Sequence, residues 1–265
     1  MSDPASAKWD DLRTRLMSGA GMATLGIVCI LAGGVWFQML AVFVTAVMIW
    51  ELIMMIRPDA PTPAMLLAAL TASLLSGMFV GEESWVLVLF LLPPALGLLA
   101  LPRERATYFA FALAILVAGW GLVTFRETYG ATWLLWLVLV VIATDVFGYF
   151  AGRIIGGPKF WPKISPKKTW SGTVAGWVSA AVIGLIFLSF TDAGPDLWWI
   201  SMLLSFASQM GDIAESALKR RMGVKDSSTL IPGHGGLFDR FDGLLGAALF
   251  MLAISLFVDV PQVQF

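Results

Sequence analysis

Long apolar runs divide this chain, and a helix needs about 20 apolar residues to cross the hydrocarbon core of a bilayer. Inside hydrocarbon every backbone N–H and C=O must be satisfied within the protein, so only helices or closed barrels can cross. Over 265 residues the chain is 58% hydrophobic and 13% charged, against roughly 25% charged in a soluble domain. The fold class predicted is all-α, a polytopic membrane protein with nine spans at 20–34, 36–56, 64–80, 84–101, 106–125, 131–152, 170–190, 196–217 and 243–259. Gly33-Gly34 separates the first two spans, Pro58, Pro61 and Pro63 close the second, and Pro93-Pro94 predicts a kink in the fourth. Gly19 to Met55 is longer than the roughly 7–15 residue core of a signal peptide and shows no clear cleavage site, so it reads as two retained spans. The single Cys29 excludes an intramolecular disulfide and a cysteine zinc cluster. One transmembrane domain is expected over 1–265, with 1–130 as scaffold helices and 131–265 as catalytic helices and loops.

Loop charge orients this arrangement, because cytoplasmic loops carry the excess of Lys and Arg. With the N-terminus inside, sixteen of the seventeen Lys and Arg residues fall on the cytoplasmic side and only Arg126 falls outside. The expected topology is N-in and C-out, with two long basic cytoplasmic segments at 153–169 and 218–242. The odd span count and the lack of a targeting segment fit a bacterial inner membrane.

Charge that hydrocarbon cannot solvate marks where chemistry sits. Asp145 lies in apolar sequence, with Gly148, Tyr149 and Gly152 following at i+3, i+4 and i+7 on the same helical face. That face suits either a ligand or a closely packed helix. The lysines after it, Lys159, Lys163, Lys167 and Lys168, are interspersed with Pro and Gly, which favours an ordered turn over simple topological anchors. Asp212, Glu215, Ser216 and Lys219 form one stripe at i, i+3, i+4 and i+7. Such a stripe lines a cavity or forms an internal salt-bridge ladder. The sequence PGHGGLFDRFDG then places the only histidine, His234, among Gly233, Gly235 and Gly236. Those glycines permit positive φ and close approach of amide donors to an anion. Asp239 and Asp242, flanking Arg240, precede the last span. Carboxylates without cysteine favour a hard, oxygen-bound ion such as Mg²⁺ over zinc. The residues alone point to metal-assisted phosphoryl or nucleotidyl transfer on a lipid at the cytoplasmic surface.

The run Ser216-x-Leu218-Lys219-Arg220-x4-Lys225-Asp226-x-Ser228-x2-Ile231-Pro232-x-His234-Gly235-Gly236-Leu237-x-Asp239-Arg240-Phe241-Asp242 resembles the signature of the phosphatidate cytidylyltransferases, or CDP-diacylglycerol synthases. Upstream, Ser165-Pro166-Lys167-Lys168-Thr169-Trp170-Ser171-Gly172 is similar to that family's S-P-x-K-T-x-x-G element, and Asp145-x-x-x-Tyr149-x-x-Gly152 resembles its preceding helix motif. The resemblance covers 145–243. It implies that CTP and phosphatidic acid are converted to CDP-diacylglycerol and pyrophosphate, with Mg²⁺ and a second cation nearby. It implies Asp212, Asp239 and Asp242 as metal ligands with Asp145 at second rank, and Asp212, Lys219, Asp239, Asp242 and His234 as the catalytic set. Lys167, Lys168, Ser216, Arg220, Lys225, Gly235, Gly236, Arg240 and Tyr149 are the expected substrate-binding residues. Membrane lipids and a second copy of the chain in a homodimer are the further partners expected, and nucleic acid is not. A transporter would carry similar intramembrane carboxylates but place them nearer the midplane; a CTP-dependent lipid kinase would use a similar site.

Overall fold

A computed structural model describes residues 4–81 and 89–258, with side chains described from Met17 onward. The described elements are α1 (Pro4–Ala32), α2 (Gly34–Ile56), α3 (Pro61–Val80), α4 (Leu92–Ala100), α5 (Arg105–Tyr129), α6 (Ala131–Ile154), β1 (Lys159–Trp161), β2 (Ser165–Thr169), α7 (Trp170–Leu188), α8 (Leu197–Met222) and α9 (Phe238–Ile254). Among the described residues five helices, α2, α3, α5, α6 and α7, are long and apolar enough to cross a membrane. The other expected spans differ for physical reasons. The apolar part of α1 is the shorter Met17–Ala32; α8 carries the polar stripe; and α9 has 17 residues. Residues 82–88 of the expected fourth span lie outside the described residues.

The break between α1 and α2 falls at Gly33, whose φ of 63° is left-handed. Pro93 and Pro94 lie in the first turn of α4, where the missing N–H costs no intrahelical bond. Pro61 opens α3 in the same way. The basic segment after α6 departs from a purely α fold, because β1 and β2 pair antiparallel, Lys159 opposite Thr169 and Trp161 opposite Ser165. Thr169 then caps α7, its Oγ1 accepting from the Gly172 amide at 3.2 Å.

The chain forms two compact units, one of residues 1–116 with 224–240 and the other of 117–223 with 241–265. The signature loop thus groups with the N-terminal helices. In the first unit α2 packs on α3, Arg57 Nη1 donates to the Ala100 carbonyl at 2.9 Å, and Phe111 meets Phe238 edge-on at 6.0 Å.

In the second unit α7 lies between α6 and α8. The face of Gly148 and Gly152 meets Gly172 of α7, so the small residues after Asp145 admit a neighbouring helix. Trp136 Nε1 donates to Ser201 Oγ at 3.0 Å, Thr144 Oγ1 to Ser205 Oγ at 2.7 Å, and Gln209 Nε2 to the Thr173 carbonyl at 3.2 Å. Such interhelical bonds contribute about 0.6 kcal/mol each in a membrane. Gly211 of α8 and Gly246 of α9 let two backbones touch: a Cβ on Gly246 would sit 2.9 Å from Gly211 Cα. Replacing Gly246 by Leu is expected to destabilise the protein by about 1–3 kcal/mol through overpacking. Gly77→Leu, where nothing lies within 4 Å, is expected to change stability little. Thermal unfolding of both variants in detergent checks the contrast.

Candidate active site

The second unit brings most of the expected acidic residues into electrostatic reach of one another. Asp212 and Asp145 are the like charges and Lys219 the opposite charge acting on Asp242, whose Oδ1 also accepts from the Gly243 amide at 2.7 Å. Lys168 reaches from β2 to α8, its Nζ 2.6 Å from Asp212 Oδ2. The β-hairpin is what aims that lysine, because residues alternate faces along a strand and Lys167 beside it is exposed. Ser216 Oγ donates to Asp212 Oδ1 at 3.3 Å.

Part of the α8 stripe is a salt-bridge ladder. Lys219 Nζ lies 2.6 Å from Glu215 Oε2 one turn back, with the Glu215 side chain only 1% exposed. Arg220 is exposed beside it in the last turn, where positive charge complements the helix dipole before the left-handed Gly223 closes α8. Tyr149 is exposed on α6 and its hydroxyl accepts from Arg153 Nη1 at 2.6 Å.

The first unit holds the signature loop. A tight turn closes it, with the Ile231 amide donating to the Gly235 carbonyl at 2.8 Å and the His234 amide to the Ile231 carbonyl at 2.9 Å. Gly233 and Gly235 have φ of 74° and 81°, which an L side chain resists. His234 Nδ1 lies 2.8 Å from Ser18 Oγ of α1. The amides that a phosphate cradle would use are engaged differently from the expectation. Asp239 Oδ2 accepts from the Gly236 amide at 2.7 Å and from the Ser227 amide and hydroxyl at 2.8 Å each. The next two amides, Leu237 and Phe238, donate to Glu51 of α2. Gly236 is required by crowding, since a Cβ there would overlap Ser227 Oγ and Glu51 Oε1. Lys225 and Arg240 are exposed.

The sequence model of the cytidylyltransferase family matches residues 13–258. The chain belongs to that family. It resembles the phosphatidate cytidylyltransferase of Brucella suis biovar 1, 46% identical over 145 residues that cover 52% of this chain and 53% of that one. The protein of that name in Staphylococcus saprophyticus is 42% identical over 142 residues, 51% of this chain and 55% of that one. Its counterpart in Staphylococcus aureus strain COL is 39% identical over 142 residues with the same coverage. The matched region therefore spans about half the length of these curated relatives.

The carboxylates of Asp212, Asp242 and Asp145 are oxygen donors of the kind that suits a hard cation. Among the described residues no group of three or more His, Cys, Asp or Glu side chains is gathered closely enough to hold an ion by itself. Mg²⁺ is commonly held by one or two carboxylates together with water and substrate phosphates, so this donor set fits an ion bound jointly with a nucleotide.

Two residues in the N-terminal half of the chain were not singled out from sequence: Ser18, beside His234, and Glu51, beneath the loop. Glu51 did leave a signal, being a lone carboxylate within the apolar span 36–56.

Removing the cation beside buried Glu215 is expected to be costly. Lys219→Met should destabilise the protein by about 3 kcal/mol, and Glu215→Gln combined with Lys219→Met should recover most of that loss. Thermal unfolding of the single and double variants measures both effects.

Proposed function

We propose that this chain is an integral-membrane phosphatidate cytidylyltransferase that converts CTP and phosphatidic acid to CDP-diacylglycerol and pyrophosphate in phospholipid biosynthesis. Family membership and the names of the relatives support the reaction class. The observation that carries the reading is the acidic group drawn from α6, α8 and α9, with Lys168 already placed against Asp212. Anionic oxygens beside an ammonium group are what a polyphosphate substrate with its counter-ion requires.

In this reading a phosphate oxygen of the lipid attacks the α-phosphorus of CTP. One P–O bond forms as the bond to the pyrophosphate leaving group breaks. No protein nucleophile takes part, so orientation and charge neutralisation supply the rate. Asp212 and Asp242 would hold Mg²⁺, with Asp145 as a nearby oxygen donor, and a second cation belongs to the same proposal. Asp239 is the further ligand implied by the signature, although its Oδ2 also anchors the loop. The ion supplies Lewis-acid polarisation and neutralises phosphate charge.

Lys167, Lys168, Lys219, Arg220, Lys225 and Arg240 are assigned to phosphate binding, with Ser216 and Tyr149 as hydroxyl partners. His234 and Gly235 are assigned to the nucleotide, and Gly236, whose amide donates to Asp239, to the loop that presents them. Phosphatidate is ionised near neutral pH, so His234 orients substrate without having to take a proton. The full topology proposed is nine crossings, N-in and C-out, in a bacterial inner membrane with the reaction on the cytoplasmic side, and the chain works as a homodimer. The one-sided distribution of Lys and Arg supports that orientation.

Purified protein supplied with labelled CTP, phosphatidic acid and Mg²⁺ is expected to yield CDP-diacylglycerol. CTP binding without product would sink the substrate assignment. Asp212→Asn and Asp242→Asn are each expected to lower turnover by about 100-fold or more while the protein remains inserted and folded. Substantial activity in both variants would move the metal site elsewhere.

A further inference from the structure

Glu51 is fully buried in α2, at 0% exposure, and the reaction as described has no use for it. Four donors nevertheless converge on its carboxylate. Oε1 accepts from Ser228 Oγ at 2.6 Å and from the Leu237 amide at 2.9 Å. Oε2 accepts from the Phe238 amide at 2.6 Å and from Ser227 Oγ at 3.3 Å. All four donors lie in the signature segment, 176 to 187 residues further along the chain.

We propose that Glu51 is a positioning residue for nucleotide binding, holding the loop of His234 and the first turn of α9 in the geometry that CTP meets. The inference rests on the cytidylyltransferase reading above. Three consecutive amides, those of Gly236, Leu237 and Phe238, point their N–H groups at protein carboxylates. Successive amides at a helix N-terminus normally make a site for an external anion. Here Glu51 and Asp239 fill that place, so the nest holds the loop to α2 and does not receive the substrate. Ser227 bridges the two carboxylates, with its hydroxyl within reach of both. Those four hydrogen bonds between the loop and α2 all run through this one side chain.

The chemistry demands a carboxylate. A backbone amide can only donate, and one amide addresses each oxygen of Glu51, so both oxygens must accept. A glutamine fills the same volume but offers one acceptor and one NH₂. In either orientation the NH₂ confronts a backbone N–H and leaves a buried donor unsatisfied.

The test uses the full chain in detergent or nanodiscs, with CTP as the probe. Glu51→Gln is expected to speed amide exchange across 234–240 and to weaken directly measured CTP binding, each by about ten-fold or more. KM for CTP should rise in parallel while KM for phosphatidic acid changes by less than about two-fold, a split that general loss of stability would not produce. Should the glutamine variant fail to fold, Ser228→Ala keeps the carboxylate and both amide bonds and is expected to weaken CTP binding about three-fold. Unchanged exchange overturns the proposal, as does faster exchange with unchanged CTP binding or an equal rise in both KM values. If the unmodified protein binds CTP but makes no CDP-diacylglycerol, the lipid-substrate reading fails and the role of Glu51 is decided by CTP binding alone. If it binds no CTP, both ideas fall.

Discussion

Hydrocarbon and packed apolar side chains cannot solvate a carboxylate, and Glu51, Glu215 and Asp212 are placed by that constraint. Glu51 is buried and collects four hydrogen-bond donors. Glu215 is buried and has Lys219 one turn away. Asp212, partly exposed, draws Lys168 out of the hairpin. Where no basic residue lies one turn away, as for Glu51 and Asp212, the partners come from distant parts of the sequence, and bringing them in orders the loops. The polar segments of this chain are structured because the helices contain charges that need them.

This changes how the signature segment is read. Its glycines do admit left-handed backbone at 233 and 235 and close approach at 236. Yet the amides they free are directed at Asp239 and Glu51. A glycine-rich loop before a helix has the same composition whether its amides face a substrate phosphate or a protein carboxylate. Only the position of the acidic partner distinguishes the cases, and Glu51 lies far upstream.

That explains how much was legible beforehand. The ends of α2 and α6 followed from Gly33, Pro58 and the length of the apolar runs, since these are local properties of backbone and solvent. The stripe of Asp212, Glu215, Ser216 and Lys219 was equally local, because α8 runs unbroken through all four positions. The hairpin at 159–169 was not, because Ser-Pro-Lys-Lys-Thr has no apolar alternation and its strands are defined by pairing with each other. The grouping of 224–240 with the N-terminal helices was hidden for the same reason. Hydropathy averaging also concealed Glu51, where one charge barely lowers the mean of a strongly apolar helix.

The basic residues show why spacing alone leaves roles undecided. Lys167, Arg220 and Lys225 are exposed and, among the described residues, can meet a phosphate without surrendering an internal partner. Lys168 is different, since binding a phosphate elsewhere would mean leaving Asp212, and an ion taking its place would restore the neutralisation it had provided. A cation would stand beside Asp212 in both states, so neither would leave it without a counter-charge. Lys219 has less freedom: moving away from Glu215 would strand a carboxylate that is almost wholly inaccessible to water. On energetic grounds Lys168 is the better candidate to move between protein and substrate, and Lys219 the better candidate to shape the site from a fixed position.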